Sequence, residues 1–357
     1  MAKIAIVNDT HFGVRGDNEI FRSNIERFFS AQFFPYLDKH GIKHVVNAGD
    51  VMDRRKYVNY KTVQSFRSHF IDPIIERGII LDNILGNHDV AMKSTNDINC
   101  IEELIGYLMI DNPNIRVYKS TQEVDLYGLK TLYIPWINRQ NYDDSISKIK
   151  NTDAKFAIGH LEITGFEMEA GHICEDGLNK TLFNHMDMVL SGHFHKKSDN
   201  GRIFYLGTQY QLHWSDYGET KGFHVFDTDT MELEFIPNKE HMFAKVVYDD
   251  SDGVEDYINY DFDNLHNKSI KIIVDKREDI YVFENFINKI LEQDLFDYSL
   301  IENVDYDMEI DEDDLVVEDT MTLLNKAVDA TKDSSNADSK NKLKKLLKNL
   351  FTEALST

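Results

Sequence analysis

His44-Val45-Val46-Asn47-Ala48-Gly49-Asp50 is a short apolar run that closes on a small residue and a carboxylate. It reads as a buried strand whose carboxyl end opens into a loop able to carry function. The same grammar recurs on either side. Lys3-Ile4-Ala5-Ile6-Val7 ends at Asn8-Asp9, and Ile79-Ile80-Leu81 with Ile84-Leu85 ends at Gly86-Asn87-His88-Asp89. Residues 19–40 place Ile20, Ile25, Phe28 and Phe29 near helical spacing, and Pro35 predicts a weak point there. A second helical stretch spans about 57–77, with Pro73 as its expected interruption. Strand, helix, strand in alternation predicts an α/β domain.

Beyond about residue 115 the pattern turns to short strands: 115–118, 131–135, 156–158, 188–190, 203–206 and 223–226, after a helix at 98–110. A second sheet stacked on the first follows, giving a two-sheet α/β sandwich flanked by helices. After about residue 236 a strand at 269–274 and an amphipathic helix at 279–295 read as a small α/β lobe. Residues 302–319 hold ten acidic side chains and no basic one, and read as a solvated linker or exposed helix start. Val317, Met321, Leu324 and Val328 then share a helical face, and residues 332–341 form a polar break. In the tail, Leu343, Leu346, Leu347, Leu350 and Phe351 line one face of a helix with lysines opposite. The domains expected are 1–235, 236–305 and 306–357.

Composition narrows the classes. With 357 residues, 42% of them hydrophobic, the chain has material for a large core, which excludes wholesale disorder. No apolar run approaches the roughly 20 residues that span a bilayer, and the stretch Ile4–Val7 is too short for a secretory signal. Two cysteines, Cys100 and Cys174, predict reduced thiols and a cytoplasmic setting. A net charge of -23 argues against a simple basic DNA-binding module. Much of that charge, however, lies in 302–319, far in sequence from the loops that follow the strands.

Five motifs sit at predicted strand ends: Asp9-x-His11, Gly49-Asp50-x-x-Asp53, Gly86-Asn87-His88-Asp89, Gly159-His160 and Gly192-His193-x-His195. Asp, Asn and His together make a mixed oxygen and nitrogen donor set, suited to Mn, Fe or Zn better than to Ca. There are more donors than one ion needs, so a bridging carboxylate and two ions fit the count. A lone Asp-x-His or Gly-His is common at turns. A specified four-residue match such as Gly-Asn-His-Asp arises about once in 10^5 positions at average usage. The ordered set of five makes ordinary loops a poor explanation.

These motifs resemble those of calcineurin-like metallophosphoesterases and, more narrowly, the SbcD-type nuclease subunit, whose eukaryotic and archaeal counterparts are the meiotic-recombination-eleven nucleases and which phages carry as a recombination endonuclease subunit. The narrower likeness rests on Asp9-Thr10-His11-Phe12-Gly13, on Tyr205-Leu206-Gly207-Thr208 and on Lys221-Gly222-Phe223. It implies one metal held by Asp9, His11, Asp50 and His195, a second by Asp50, Asn87, His160 and His193, with Asp50 bridging. It implies His88 as the proton donor or phosphorane stabiliser, with Asp89 orienting it. The expected ions are divalent, manganese first and magnesium second. The expected partners are DNA and an SbcC-like coiled-coil ATPase docked on the C-terminal helices, with a homodimer inside a heterotetramer. The 236–305 lobe takes the place of the family's capping, DNA-binding domain.

Asp53 departs from many SbcD-like sequences, which carry His there; its expected role is to orient a ligand or pair with Arg54. Arg54, Arg55 and Lys56 form the basic cluster nearest the site and are candidates for phosphate contact, with Arg15 and Arg139 behind them; a solvated basic loop explains the cluster equally well. Two other functions fit the motifs: a phosphoesterase for a small phosphodiester or phosphoprotein, and a non-catalytic adaptor on the same fold.

Overall fold

The computed structural model describes residues 2–169 and 172–302. All lie in the first of two units, Met1–Asn303; residues 303–357, with the expected linker, the expected C-terminal helices and the expected partner-binding residues Leu343, Leu346, Leu347, Leu350 and Phe351, lie outside the described residues.

Two six-stranded sheets form the centre. The first runs Glu232–Pro237, Gly222–Asp227, Lys3–Val7, His44–Asn47, Ile80–Ile84, Ile115–Tyr118; the second runs Ser198–Asp199, Ile203–Tyr205, Met188–Gly192, Phe156–His160, Leu129–Ile134, Gln122–Leu126. The middle strands of each are parallel, and they are buried along nearly their whole length because both faces are covered. Between the sheets, Ile4, Ile6, Val46, Ile84 and Phe226 meet Tyr133, Phe156, Ile158 and Leu190. Outside the first sheet, the helical segments 19–40, 60–76 and Cys100–Asp111 bury a phenylalanine-rich cluster. Outside the second, helix Tyr142–Asn151 packs through Ile149 into a cluster with Leu132 and Val189. No described helix is long and apolar enough to cross a membrane.

A buried carboxylate ties the two sheets at one edge. Asp82, fully buried, accepts from Arg116 Nε (2.6 Å), Tyr118 Oη (3.3 Å) and Tyr133 Oη (3.0 Å), and lies 2.9 Å from His44 Nε2. Tyr133 belongs to the second sheet and the others to the first.

The two prolines do not end their helices. Before each, the backbone widens into a π-turn, Phe29–Phe33 and Arg67–Ile71, so that the N–H of Phe34 reaches Phe29 O and that of Asp72 reaches Arg67 O, five residues back. Pro35 and Pro73 then start a new α-helical segment, where a missing N–H costs nothing. Two elements rich in charged and polar residues, with sparse apolar stripes, were not anticipated: edge strand Gln122–Leu126 and helix Tyr142–Asn151.

After residue 240 three parallel strands, Phe243–Asp249, Ser269–Lys276 and Asp297–Glu302, pair in that order. Helix Ile280–Leu291 packs on them through Phe283, Phe286 and Ile290, around Tyr248 and Ile272. This small sheet is seated on the rest by Trp214 against Phe243 (4.5 Å between rings), by Arg27 paired with Glu240, and by Gln211 Oε1, which accepts the N–H groups of Met242 (2.8 Å) and Phe243 (3.1 Å).

Candidate metal centre

All five motifs converge at the carboxyl ends of the central strands, three from the first sheet and two from the second. That is where open α/β sheets present ligand groups. Asp9, His11, Asp50 and His193 have φ of 47, 42, 56 and 88°, in the left-handed region. Each costs of order 1–3 kcal/mol of local strain, a clustering typical of functional loops. Packing there leaves no room for a β-carbon at two glycines. A Cβ on Gly49 would fall 2.3 Å from His160 Nδ1, and one on Gly86 2.1 Å from Asp50 Oδ1.

The donor atoms form two triads of mutually adjacent ligand groups, Asp9–His11–His195 and Asp50–His160–His193. Asp50 stands between them: its Oδ2 is 3.3 Å from His160 Nε2 and 3.9 Å from His11 Nε2. Asn87 Oδ1 lies 2.9 Å from His160 Nε2. His11 Nε2 and His195 Nε2 approach to 3.1 Å. A third grouping, His11–Asp53–His88, lies at the mouth.

Side chains and backbone around the triads hold them in place. His160 Nδ1 contacts Ala48 O (2.9 Å), which leaves Nε2 facing the site. The N–H of His193 donates to Asp9, and that of His88 donates to Asp50 Oδ1 at 2.7 Å. Lys221, buried and paired with Asp216 at 2.8 Å, donates to the carbonyl of His195 at 2.9 Å. The Lys221-Gly222-Phe223 stretch thus braces the loop of the last histidine.

Electrostatics favours a cation. Burial and neighbouring imidazoles push His11 well down, His193 to about 3 and His195 to about 4, so these rings are neutral, the form that binds metals. Burial, with Asp50 adding to it, raises Asp9 to about 6. Burial acts against ionised Asp50 too, but His160 outweighs it and holds the carboxyl low; burial likewise acts against a charged His160, and the Asp50 and Asp9 carboxylates outweigh it and raise that ring to about 9. Buried carboxylates and buried neutral imidazoles facing one space are a poor arrangement by themselves and a good one around divalent ions. The donor set therefore fits the group that the motifs imply.

Asp89 does not orient His88. Its carboxylate accepts three backbone N–H groups, from Gly86 (2.8 Å), Asp50 (2.8 Å) and Val51 (2.7 Å), and the Cys100 thiol at 3.4 Å. It pins the Asp50 loop to the Gly86 turn. The His88 ring is held instead through Nδ1 at the carbonyl of Asp53, 2.5 Å away. The Asp53 carboxylate itself is 3.6 Å from His11 Nδ1, and Arg54 pairs with Asp17 (3.6 Å) rather than with Asp53. Arg54 and Lys56 are exposed and Arg55 half-buried on the loop that leaves Asp53; Arg15 reaches His213 Nδ1 at 2.9 Å, and Arg139 is exposed. Trp136 was not anticipated. Its ring lies 5.3 Å from that of His193 and 6.3 Å from that of His160, and no local motif signals it.

The sequence pattern described as calcineurin-like phosphoesterase matches residues 2–197. Exonuclease subunit 1 of Enterobacteria phage T4 is 32% identical over 337 residues, 94% of this chain and 95% of that protein. The SbcD component of the SbcCD nuclease of Staphylococcus epidermidis is 22% identical over 285 residues, 71% of this chain and 74% of that protein, and its counterpart in Staphylococcus saprophyticus is 24% identical over 222 residues, 55% and 58%. Matched over more than half its length, with those residues supplying the strand-end loops that build both triads, the chain belongs to the calcineurin-like phosphoesterase family.

Proposed function

We propose that the chain is a metal-dependent DNA nuclease, the catalytic subunit of an SbcCD-like assembly. The observation that carries this reading is the pair of triads with the Asp50 carboxylate between them. The names of its relatives, an exonuclease subunit and two subunits D of an SbcCD nuclease, support a nucleic-acid substrate and a further subunit as partner, which we take to be DNA and an SbcC-like ATPase.

Asp9, His11, Asp50 and His195 would hold one divalent ion, and Asp50, Asn87, His160 and His193 the second. Two such ions, manganese in the first instance, polarise phosphoryl oxygens and make water a competent nucleophile at neutral pH. Asp50 stays ionised and shared. His88 is half-buried at the mouth, with Nδ1 fixed by the Asp53 carbonyl and Nε2 left to give a proton to the leaving oxygen. The Arg54–Lys56 loop lies where phosphates flanking the scissile bond would run. The domain plan 1–235, 236–305 and 306–357 goes with this reading: nuclease domain, DNA-facing lobe, and helices that dock the ATPase, in a dimer of such pairs.

The test is hydrolysis of end-labelled linear DNA with manganese, with and without the ATPase subunit and ATP, alongside Asp50→Ala. Metal-dependent cleavage lost in Asp50→Ala supports the reading. Cleavage of a generic phosphodiester with none of DNA moves the function to a small substrate.

A further inference from the structure

Beside the triads, on the His160 side, the surface opens into a cleft of about 790 Å³. Trp136, Tyr142, Ile146, Leu161, Glu162 and Asp176 line it. This is within the size of pockets that take a small organic group. Its walls are of two kinds: aromatic and aliphatic surface next to the metal centre, and a polar set in which the carboxylates of Glu162 and Asp176 stand with Lys150, His185 and the amides of Asn179 and Asn184. A phosphate backbone finds one lysine there against two carboxylates. A nucleobase is suited to both walls, because its face stacks on aromatic rings and its exocyclic amino groups donate to carboxylates.

Trp136 is fixed for that use. Its backbone N–H donates to Leu85 O at 2.7 Å, and its carbonyl accepts from Asn96 Nδ2 (3.0 Å) and Asn141 Nδ2 (3.1 Å). Asn96 is itself buried and also accepts from Asn138 Nδ2 at 2.8 Å. Three elements thus hold one residue whose indole is half-buried, against the imidazoles on one side and in the cleft on the other. The indole also packs against the core outside the first sheet, which makes it a rigid wall of the cleft.

Resting on the nuclease reading above, we infer that Trp136 is the stacking platform for the nucleobase next to the scissile phosphate, with Tyr142 in the same cleft and Glu162 and Asp176 meeting the base edge. The metal centre takes the phosphate and the cleft takes the base. Trp136 is a substrate-positioning residue and leaves the chemistry of the metal centre unchanged.

The chain has two tryptophans, so in a Trp214→Phe background Trp136 is the sole indole. A phosphorothioate 12-mer, which resists hydrolysis, should quench its fluorescence; a 12-mer of abasic residues should not. In steady-state cleavage, Trp136→Ala should raise KM for DNA about tenfold, within the range one stacked base contributes, and Trp136→Phe should restore most of it. An abasic residue next to the scissile bond should cost the wild type the same factor and cost Trp136→Ala nothing more. Bound metal, measured on Trp136→Ala and Trp136→Phe, should equal that of the wild type, so that the loss is one of substrate contact. The inference is overturned by equal quenching with base-bearing and abasic strands, by additive losses, or by a loss of bound metal that accounts for the fall in cleavage. A wild type that cleaves no DNA refutes the nuclease reading, while the quenching arm still decides whether a base occupies the cleft.

Discussion

The carboxylate of Asp89 accepts the backbone N–H of Asp50 at 2.8 Å while also accepting those of Val51 and Gly86. One buried anion therefore fixes the loop that carries the central ligand to the turn that carries Asn87 and His88. Hydrogen bonds to a charged group contribute about 1.5–3 kcal/mol each, and a buried donor left unpaired costs about as much as it loses. Asp89→Ala should lower the unfolding free energy by at least about 3 kcal/mol and lower metal occupancy, both measurable by denaturant melts and by metal analysis. Asp89→Asn should do less of both. Turnover of Asp89→Asn at full metal occupancy should stay within a few-fold of the wild type, because the His88 ring rests on Asp53; a fall as large as that of His88→Ala would mean that Asp89 does govern His88.

His88→Ala should separate binding from chemistry. The ring lies at the mouth rather than inside either bridging pair, so the triads persist without it. Turnover should fall about 10²- to 10⁴-fold, the usual contribution of a positioned proton donor, with metal content unchanged. A DNA bearing a p-nitrophenolate leaving group, which needs no proton, should recover most of the rate.

Divalent ion should stabilise the fold. With ligand at 100 times its dissociation constant the gain is about 2.7 kcal/mol per site, and unfolded chain competes little. Thermal melts with manganese and with chelator should differ accordingly, and Asp50→Ala should abolish most of the difference, since Asp50 lies between both triads.

His224, buried on strand Gly222–Asp227, is not among the candidate ligands. Burial and then nearby Lys197 push it from 6.5 to about 3. Its folded form stays neutral while the unfolded chain takes a proton, so its contribution is complete above pH 6.5 and is lost as pH falls toward 3. By pH 5 the loss is about 2 kcal/mol. His224→Gln should show a shallower fall in melting temperature between pH 7 and pH 5 than the wild type, at equal metal concentration.

Asp82→Ala should be among the most damaging substitutions outside the centre. It would leave His44 and two tyrosine hydroxyls buried without their acceptor, and Arg116 without its partner. Breaking a buried pair in this way costs about 3–5 kcal/mol, readable as a drop in denaturant midpoint with catalysis at low temperature preserved.

The donor residues were legible because they sit in motifs of two to five residues, each directly after an apolar run. Pairings across the fold were not. Asp89 follows His88 in sequence, which suggests a side-chain pair. In the turn the carboxylate instead points back to Gly86 and across to Asp50 and Val51. Trp136 carries no local signal, since its place beside His193 depends on the stacking of one sheet on the other. Pro35 and Pro73 mark helix breaks in a one-dimensional reading, and only the widened turns before them show how the helices pass through. The edge strand Gln122–Leu126 and helix Tyr142–Asn151 touch the core on one side only, so their apolar stripes are two or three residues long, Val124 and Leu126 in one and Tyr142, Ile146 and Ile149 in the other, too short to stand out among charged neighbours.

Strand Lys3–Val7 is flanked by His44–Asn47 and by Gly222–Asp227. At about 5–20 residues per second, the nascent chain carries its first strand for some ten seconds or more before the second neighbour is made. Asp9 and His11 wait almost as long for His193 and His195. Until then the first half exposes one bare strand edge and the donor loops stand as separate, weak chelators. Metal capture is therefore a late event of synthesis, and a chain truncated before residue 222 should emerge as a substrate for chaperones rather than as a small phosphoesterase.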